Sequence, residues 1–127
     1  MATLKEIVID SRHPASLARF WAGTLQGYAI RAYDDAEIAR LASLGLTPES
    51  DLSVMLDGPG PTLCFQLRLE PKTQRNRLHF DLMVRSRAEE IARLSALGAK
   101  VRDEHEGFTV MLDPEGNEFC VVEPPTD

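Results

Sequence analysis

Hydrophobic and polar positions repeat with two different periods along this chain, and each change of period marks an element boundary. In "HFDLMV" (His79–Val84) polar and apolar residues alternate, the signature of a strand with one covered face. "SRAEEIARLSALG" follows, with Ile91, Leu94 and Leu97 spaced for one helical face and Gly98 placed to end the helix in a left-handed conformation. "AKVRDE", "FTVMLD" and "NEFCVVE" then predict three short strands. Asp113-Pro114-Glu115-Gly116 joins the last two as a type I turn, with Asp first, Pro second and Gly fourth. The order is βαβββ.

The first half repeats that order with an insertion. "EIVIDS" predicts a strand, and "PASLARFWAGTLQG" a helix with Pro14 in its first turn. "YAIRAY" predicts a strand, "DDAEIARLASLG" an extra helix over about 35–45, and "LSVML" and "PTLCFQLRLE" two further strands. Internal likeness supports two modules. "SVMLDGPG" matches "TVMLDPEG", and "AEIARLASLG" matches "EEIARLSALG". The second likeness has two explanations, common descent or shared use of helix-forming residues. Module 1 covers about 1–70 and module 2 about 78–127, joined by the polar "EPKTQRNR". Neither module can cover its apolar faces well alone, so residues 1–127 are expected to form one domain.

Alternation also assigns faces. Phe80, Leu82 and Val84 oppose His79, Asp81 and Met83; Phe119 and Val121 oppose Glu118, Cys120 and Val122. In the first module Ile7 and Ile9 oppose Glu6, Val8 and Asp10, and Leu63, Phe65, Leu67 and Leu69 oppose Cys64, Gln66 and Arg68. The apolar sets are expected to pack on helices. The mixed sets, with Glu6, Asp10, Cys64, Gln66, His79, Asp81 and Cys120, are expected to line a partly enclosed cavity. Cys64 lies seven residues after Asp57 and Cys120 seven after Asp113, so the two cysteines occupy matching places.

Composition narrows the class of function. With 43% hydrophobic and 27% charged residues the chain is an ordinary globular one, and a formal charge of −6 gives no basic stripe for nucleic acid and no attraction to an anionic membrane. No apolar run is long enough to span a membrane, and "MATLKEIVIDS" has no signal-peptide core, so a cytoplasmic protein is expected. Two cysteines make no disulfide framework, and both are expected as thiols. Serine-hydrolase, Walker, dinucleotide and C-x-x-C motifs are absent from the sequence. The glycines of "DGPGP" belong to a turn, since no helix follows them to make a phosphate cradle.

Paired βαβββ modules, "NRLHFDLMV" (Asn76–Val84) and "DPEGNEFCVV" (Asp113–Val122) together resemble the glyoxalase-like proteins of the vicinal oxygen chelate superfamily, which includes glyoxalase I, bleomycin-resistance proteins and extradiol dioxygenases. The resemblance covers essentially the whole chain. It implies an α+β fold in which two βαβββ modules form a curved, partly open mixed-sheet barrel around a cavity, closed within one chain or by exchange between chains, and a homodimer is expected. Metal-dependent members hold a divalent metal with two side chains from the first strands of the modules and two from the last. Those positions are Glu6 and His79, then Cys64 and Cys120, where such enzymes usually carry Glu. Mn, Fe and Ni favour O and N ligands, so the cysteines argue against those ions, while zinc accepts such a set.

Each candidate has a plain alternative. Cys64 and Cys120 fit small buried hydrophobes as well as metal ligands or redox thiols. His79 is the candidate catalytic residue, as general base or hydrogen-bond donor, against a structural histidine bonded to Asp81, Gln66 or backbone. His105 is placed in a hairpin turn, and Lys72, Arg75 and Arg77 form a basic linker cluster. The favoured reading is a small-molecule-binding protein without the usual metal, its cofactor left open. The alternative is a metal-dependent lyase, isomerase or dioxygenase using Glu6 and His79.

Overall fold

The computed structural model describes residues 1–124, so the last three residues of the expected second module lie outside the described residues. The chain divides into two compact units, Met1–Pro71 and a second beginning at Lys72. Each carries one four-stranded mixed sheet, and the two sheets are separate and unclosed.

In the first unit β1 (Glu6–Ser11) runs into α1 (Pro14–Thr24), then β2 (Ala29–Ile30), α2 (Asp35–Ser43), a 3-10 turn at Pro48–Ser50, β3 (Ser53–Asp57) and β4 (Thr62–Leu67). The sheet order is β1-β4-β3-β2, with β1 parallel to β4 and the other pairs antiparallel. Proline opens α1 where its missing N–H is no loss, and Ala15, Leu17, Ala18, Phe20 and Trp21 are buried as the helix packs on β3 and β4. Phe20 and Trp21 meet edge to face at 5.3 Å. Burying each ring contributes on the order of 2 kcal/mol.

Two expectations need correction here. "YAIRAY" forms a strand of only two residues, extended by one bond from Arg31 N–H to the Met55 carbonyl, because the chain then turns into the Asp34 cap of α2. The strand "PTLCFQLRLE" stops at Leu67, so Leu69 leaves the sheet and is exposed instead of core.

In the second unit β5 (Phe80–Met83), α3 (Arg87–Ala96), β6 (Lys100–His105), β7 (Phe108–Leu112) and β8 (Glu118–Val122) form a sheet of order β5-β8-β7-β6. Helix α3 packs on β6 and β8, and Leu94, Met111, Phe119 and Val121 are fully buried. Edge strand β6 is exposed along its length, rich in charge and bulged between Val101 and Asp103, which protects it from further pairing.

Short-range chemistry explains the ends of these elements. Asp34 caps α2 by accepting from Glu37 N–H at 2.8 Å, and Ser86 caps α3 by accepting from Glu89 N–H. Both helices end alike: Leu46 N–H reaches Leu41 O and Ala99 N–H reaches Leu94 O, around Gly45 and Gly98 at positive φ. The repeat "IARLASLG/IARLSALG" therefore encodes one helix-ending motif used twice. By topology α3 is the counterpart of α1, while α2 is inserted between β2 and β3. At the β7–β8 turn the buried Asp113 carboxylate accepts from Glu115 N–H, Asn117 N–H and the Asn117 amide, each at 2.9 Å. Gly116 N–H closes the turn on the Asp113 carbonyl at 2.9 Å, with Gly116 at positive φ.

The glycines of "DGPGP" lie in the bend between β3 and β4, as expected of a turn, and the need for glycine there is steric. Neither Gly58 nor Gly60 has positive φ; instead Tyr28 lies across them, and a Cβ on Gly58 would come within 2.5 Å of its ring. The Tyr28 hydroxyl donates to the Pro61 carbonyl at 2.9 Å, which holds the ring there.

Candidate ligand-binding site

In the second unit the faces assigned by alternation are those observed. Phe80, Leu82 and Val84 are half-buried while His79, Asp81 and Met83 are exposed, and Phe119 and Val121 are buried while Glu118, Cys120 and Val122 are half-buried. Because β5 runs parallel to β8 with Asp81 opposite Cys120, the sheet brings three donor-bearing side chains together. His79 Nε2 lies 3.2 Å from an Asp81 carboxylate oxygen, and donor atoms of His79, Asp81 and Cys120 all fall within 4.8 Å of one another. Burial pushes the Cys120 thiol up, the Asp81 carboxylate adds to that as charge and hydrogen-bond acceptor, and Arg102 pulls the other way. Beside this cluster Glu118 takes Arg102 at 3.0 Å and Lys72 at 3.9 Å, so part of the basic linker cluster is ion-paired.

On the first unit's corresponding face Val8 pairs with Cys64 and Asp10 with Gln66. Cys64 is buried, and burial pushes its thiol up; the Glu6 charge adds to this, while the Ser53 hydrogen bond and Arg31 act against it. Asp10 and Gln66 are exposed, and Arg68 approaches Asp10 at 3.9 Å. The four metal positions implied by resemblance thus divide two and two between the units: Glu6 with Cys64, His79 with Cys120. Asp81, expected only to line a cavity, joins His79 and Cys120 as a third donor. His105 is the last residue of β6 rather than part of the turn, and it stacks on Phe108 at 4.6 Å.

A cavity of about 520 Å³ opens in the first unit between α2 and β3. Arg31, Tyr33, Leu41, Asp51, Ser53 and Met55 are among its walls, and none of the residues selected from sequence is. The Tyr33 hydroxyl donates to Asp51 at 2.7 Å, and Ser53 N–H donates to the other carboxylate oxygen at 3.2 Å. Asp51 is only 9% exposed, and burial together with that carboxylate holds the Tyr33 phenol protonated far above its ordinary range. Tyr33 and Asp51 meet only because the inserted helix folds back, so no local spacing marks them. The one local sign is "DLS", where the Asp51 side chain turns onto Ser53 N–H before β3.

Residues 6–122 match the family described as glyoxalase-like domain. The chain belongs to that family. The glyoxalase-like chain is also similar in fold to a glyoxalase/bleomycin resistance protein/dioxygenase family enzyme from Burkholderia phytofirmans PsJN, with TM-score 0.67, 16% identity, and coverage of 96% of this chain and 98% of the other. Fosfomycin resistance protein FosX from Mesorhizobium loti gives TM-score 0.66 at 14% identity, covering 96% and 91%. A mutant of FosX from Listeria monocytogenes, complexed with Mn(II) and 1S,2S-dihydroxypropylphosphonic acid, gives TM-score 0.62 at 13% identity, covering 96% and 90%. At such identities the likeness is one of fold. No curated protein matches the chain. Among the described residues, no helix is long and apolar enough to cross a membrane.

Proposed function

We propose that this glyoxalase-like chain binds a small molecule without the carboxylate-held divalent metal of metal-dependent relatives. One observation carries the reading: Cys64 and Cys120 sit at matching register positions, opposite Val8 and Asp81, and both thiols are pushed toward the neutral form. Neutral thiols in place of two carboxylates remove the hard oxygen donors that Mn, Fe and Ni sites use. Glu6, Asp10, Cys64, Gln66, His79, Asp81 and Cys120 are the proposed ligand-facing residues. His79, whose Nε2 lies 3.2 Å from an Asp81 carboxylate oxygen, is the proposed catalytic or hydrogen-bonding residue of this set.

The cluster itself favours a second reading. His79, Asp81 and Cys120 offer nitrogen, oxygen and sulfur donors, a set that suits zinc and leaves a fourth position open. Held there, zinc would act as a Lewis acid on a substrate oxygen. A homodimer in the cytoplasm belongs to both readings: exposed Val8, Leu69 and Met83 are apolar surface, and the two free thiols suit a reducing compartment.

Metal content of protein purified without an affinity tag separates the readings, combined with thermal shifts on adding Zn, Mn, Ni or Fe(II). The binding reading expects no stoichiometric ion and no shift with any of the four. A stoichiometric ion that disappears in His79→Ala would overturn it.

A further inference from the structure

We infer that the cavity between α2 and β3 takes an organic ammonium ion with an apolar body. The inference goes beyond the binding reading above: the cavity adjoins the proposed ligand-facing set, since Met55 of its wall is the register partner of Cys64, but contains none of that set. At about 520 Å³ the cavity lies within the ~300–1,000 Å³ typical of drug-sized ligands. Its walls divide by chemistry. Leu41, Leu44, Leu46 and Met55 supply apolar surface, while Asp34, Glu37, Asp51, Arg31 and Arg40 supply charge.

Pairing decides the sign of the remaining charge. Arg31 is held in two hydrogen bonds by Asp57, at 2.8 and 2.9 Å. Arg40 is held in two by Glu37, at 2.6 and 3.2 Å. Both guanidiniums are therefore neutralised by carboxylates, and neither is an anion receptor. Asp34 accepts a helix-capping N–H, and Asp51 accepts the Tyr33 hydroxyl and Ser53 N–H. Among the described residues, these two cavity carboxylates are thus hydrogen-bonded by neutral donors and make no contact ion pair, although Arg40 attracts Asp51 at longer range. Asp51 matters most, since it is nine-tenths buried and interacts through a less polarisable surrounding than bulk water. A carboxylate so placed still has lone pairs to spare beyond its two donors. An ammonium N–H satisfies both the charge and those lone pairs, and the attached hydrocarbon covers Leu41 of α2 with Leu44 and Leu46 beyond its end.

The probes are 2-phenylethylamine, 2-phenylethanol and 3-phenylpropanoate, which share a ring and chain but differ in charge at neutral pH. Titration into isotopically labelled protein, followed by amide NMR, reads both affinity and location. Tighter binding of the amine than the alcohol by about tenfold or more, weakest binding of the carboxylate, and shifts centred on Tyr33, Asp51 and Ser53 are expected. Asp51→Asn should weaken the amine by about tenfold. Arg40→Gln, an exposed change that leaves the fold alone, should strengthen it. The proposal falls if the carboxylate binds as well as the amine, if Arg40→Gln weakens the amine, or if no probe shifts the cavity residues. Those failures leave the metal measurement untouched, and a stoichiometric metal would instead overturn the binding reading.

Discussion

Replacing Asp113 with Ala tests how the β7–β8 turn fixes β8 and with it Cys120. The carboxylate is 3% exposed and accepts three hydrogen bonds at 2.9 Å, two from backbone and one from the Asn117 amide. Bonds to a charged acceptor contribute about 1.5–3 kcal/mol each when fully buried. Glu115 and Asn117 are half-buried, so water replaces part of each bond, and about 1 kcal/mol apiece is the better figure. The variant is therefore expected to lose about 3 kcal/mol. With a urea slope of about 1.5 kcal/mol/M, its midpoint should fall by about 2 M. Asp113→Asn keeps an oxygen for the two backbone donors but turns an amide toward Asn117, so it should lose only about 1 kcal/mol. Urea unfolding followed by far-UV circular dichroism is the assay, because it reads both units, whereas the single tryptophan, Trp21, lies in the first. A loss under about 0.5 kcal/mol for Ala, or equal losses for Ala and Asn, would refute the reasoning.

Gly58→Ala should cost about 1–3 kcal/mol because its Cβ would lie 2.5 Å from the Tyr28 ring, and the cost should vanish in a Tyr28→Ala background; additive losses would show another cause. Phe119→Ala, in a fully buried position, should cost about 3–5 kcal/mol. Arg19→Ala should change stability by under about 1 kcal/mol, because its bidentate pair with Glu49 is exposed; thermal melts of both variants decide. Both thiols are raised in the folded state, so their stabilising contribution is complete below the ordinary thiol value of about 8.5 and is lost as pH rises through the higher folded values. Stability should therefore fall on the alkaline side of that value, less steeply in Cys64→Ala. Iodoacetamide should alkylate the native thiols more slowly at pH 8 than it alkylates them in urea; equal rates would contradict the shifts.

The element plan was legible because its determinants are local. Alternation in "EIVIDS" and "HFDLMV", the Pro14 start, and the Asp113 turn each act over a few residues. They therefore gave the two α+β modules and the covered face of each strand. Strand lengths were less legible: β2 and β4 are cut short where Asp34 caps a helix and where the chain leaves the sheet after Leu67. The likeness of the two "IARL" segments encoded helix ends, and only topology separated inserted α2 from the structural counterpart of α1.

For the site, the sequence alone supplied the candidates His79, Asp81 and Cys120, and the parity that puts His79 beside Asp81. Tertiary structure supplied the neighbours. Parallel register sets Asp81 opposite Cys120, which makes three donors a cluster, and the return of α2 closes Tyr33 onto Asp51. It also put Tyr28 across Gly58 and gave that glycine its reason. Side-chain direction follows from backbone geometry over two or four residues and can be read along the chain. Which side chains meet depends on register and on packing between segments far apart in sequence, and those are settled only when the whole unit folds.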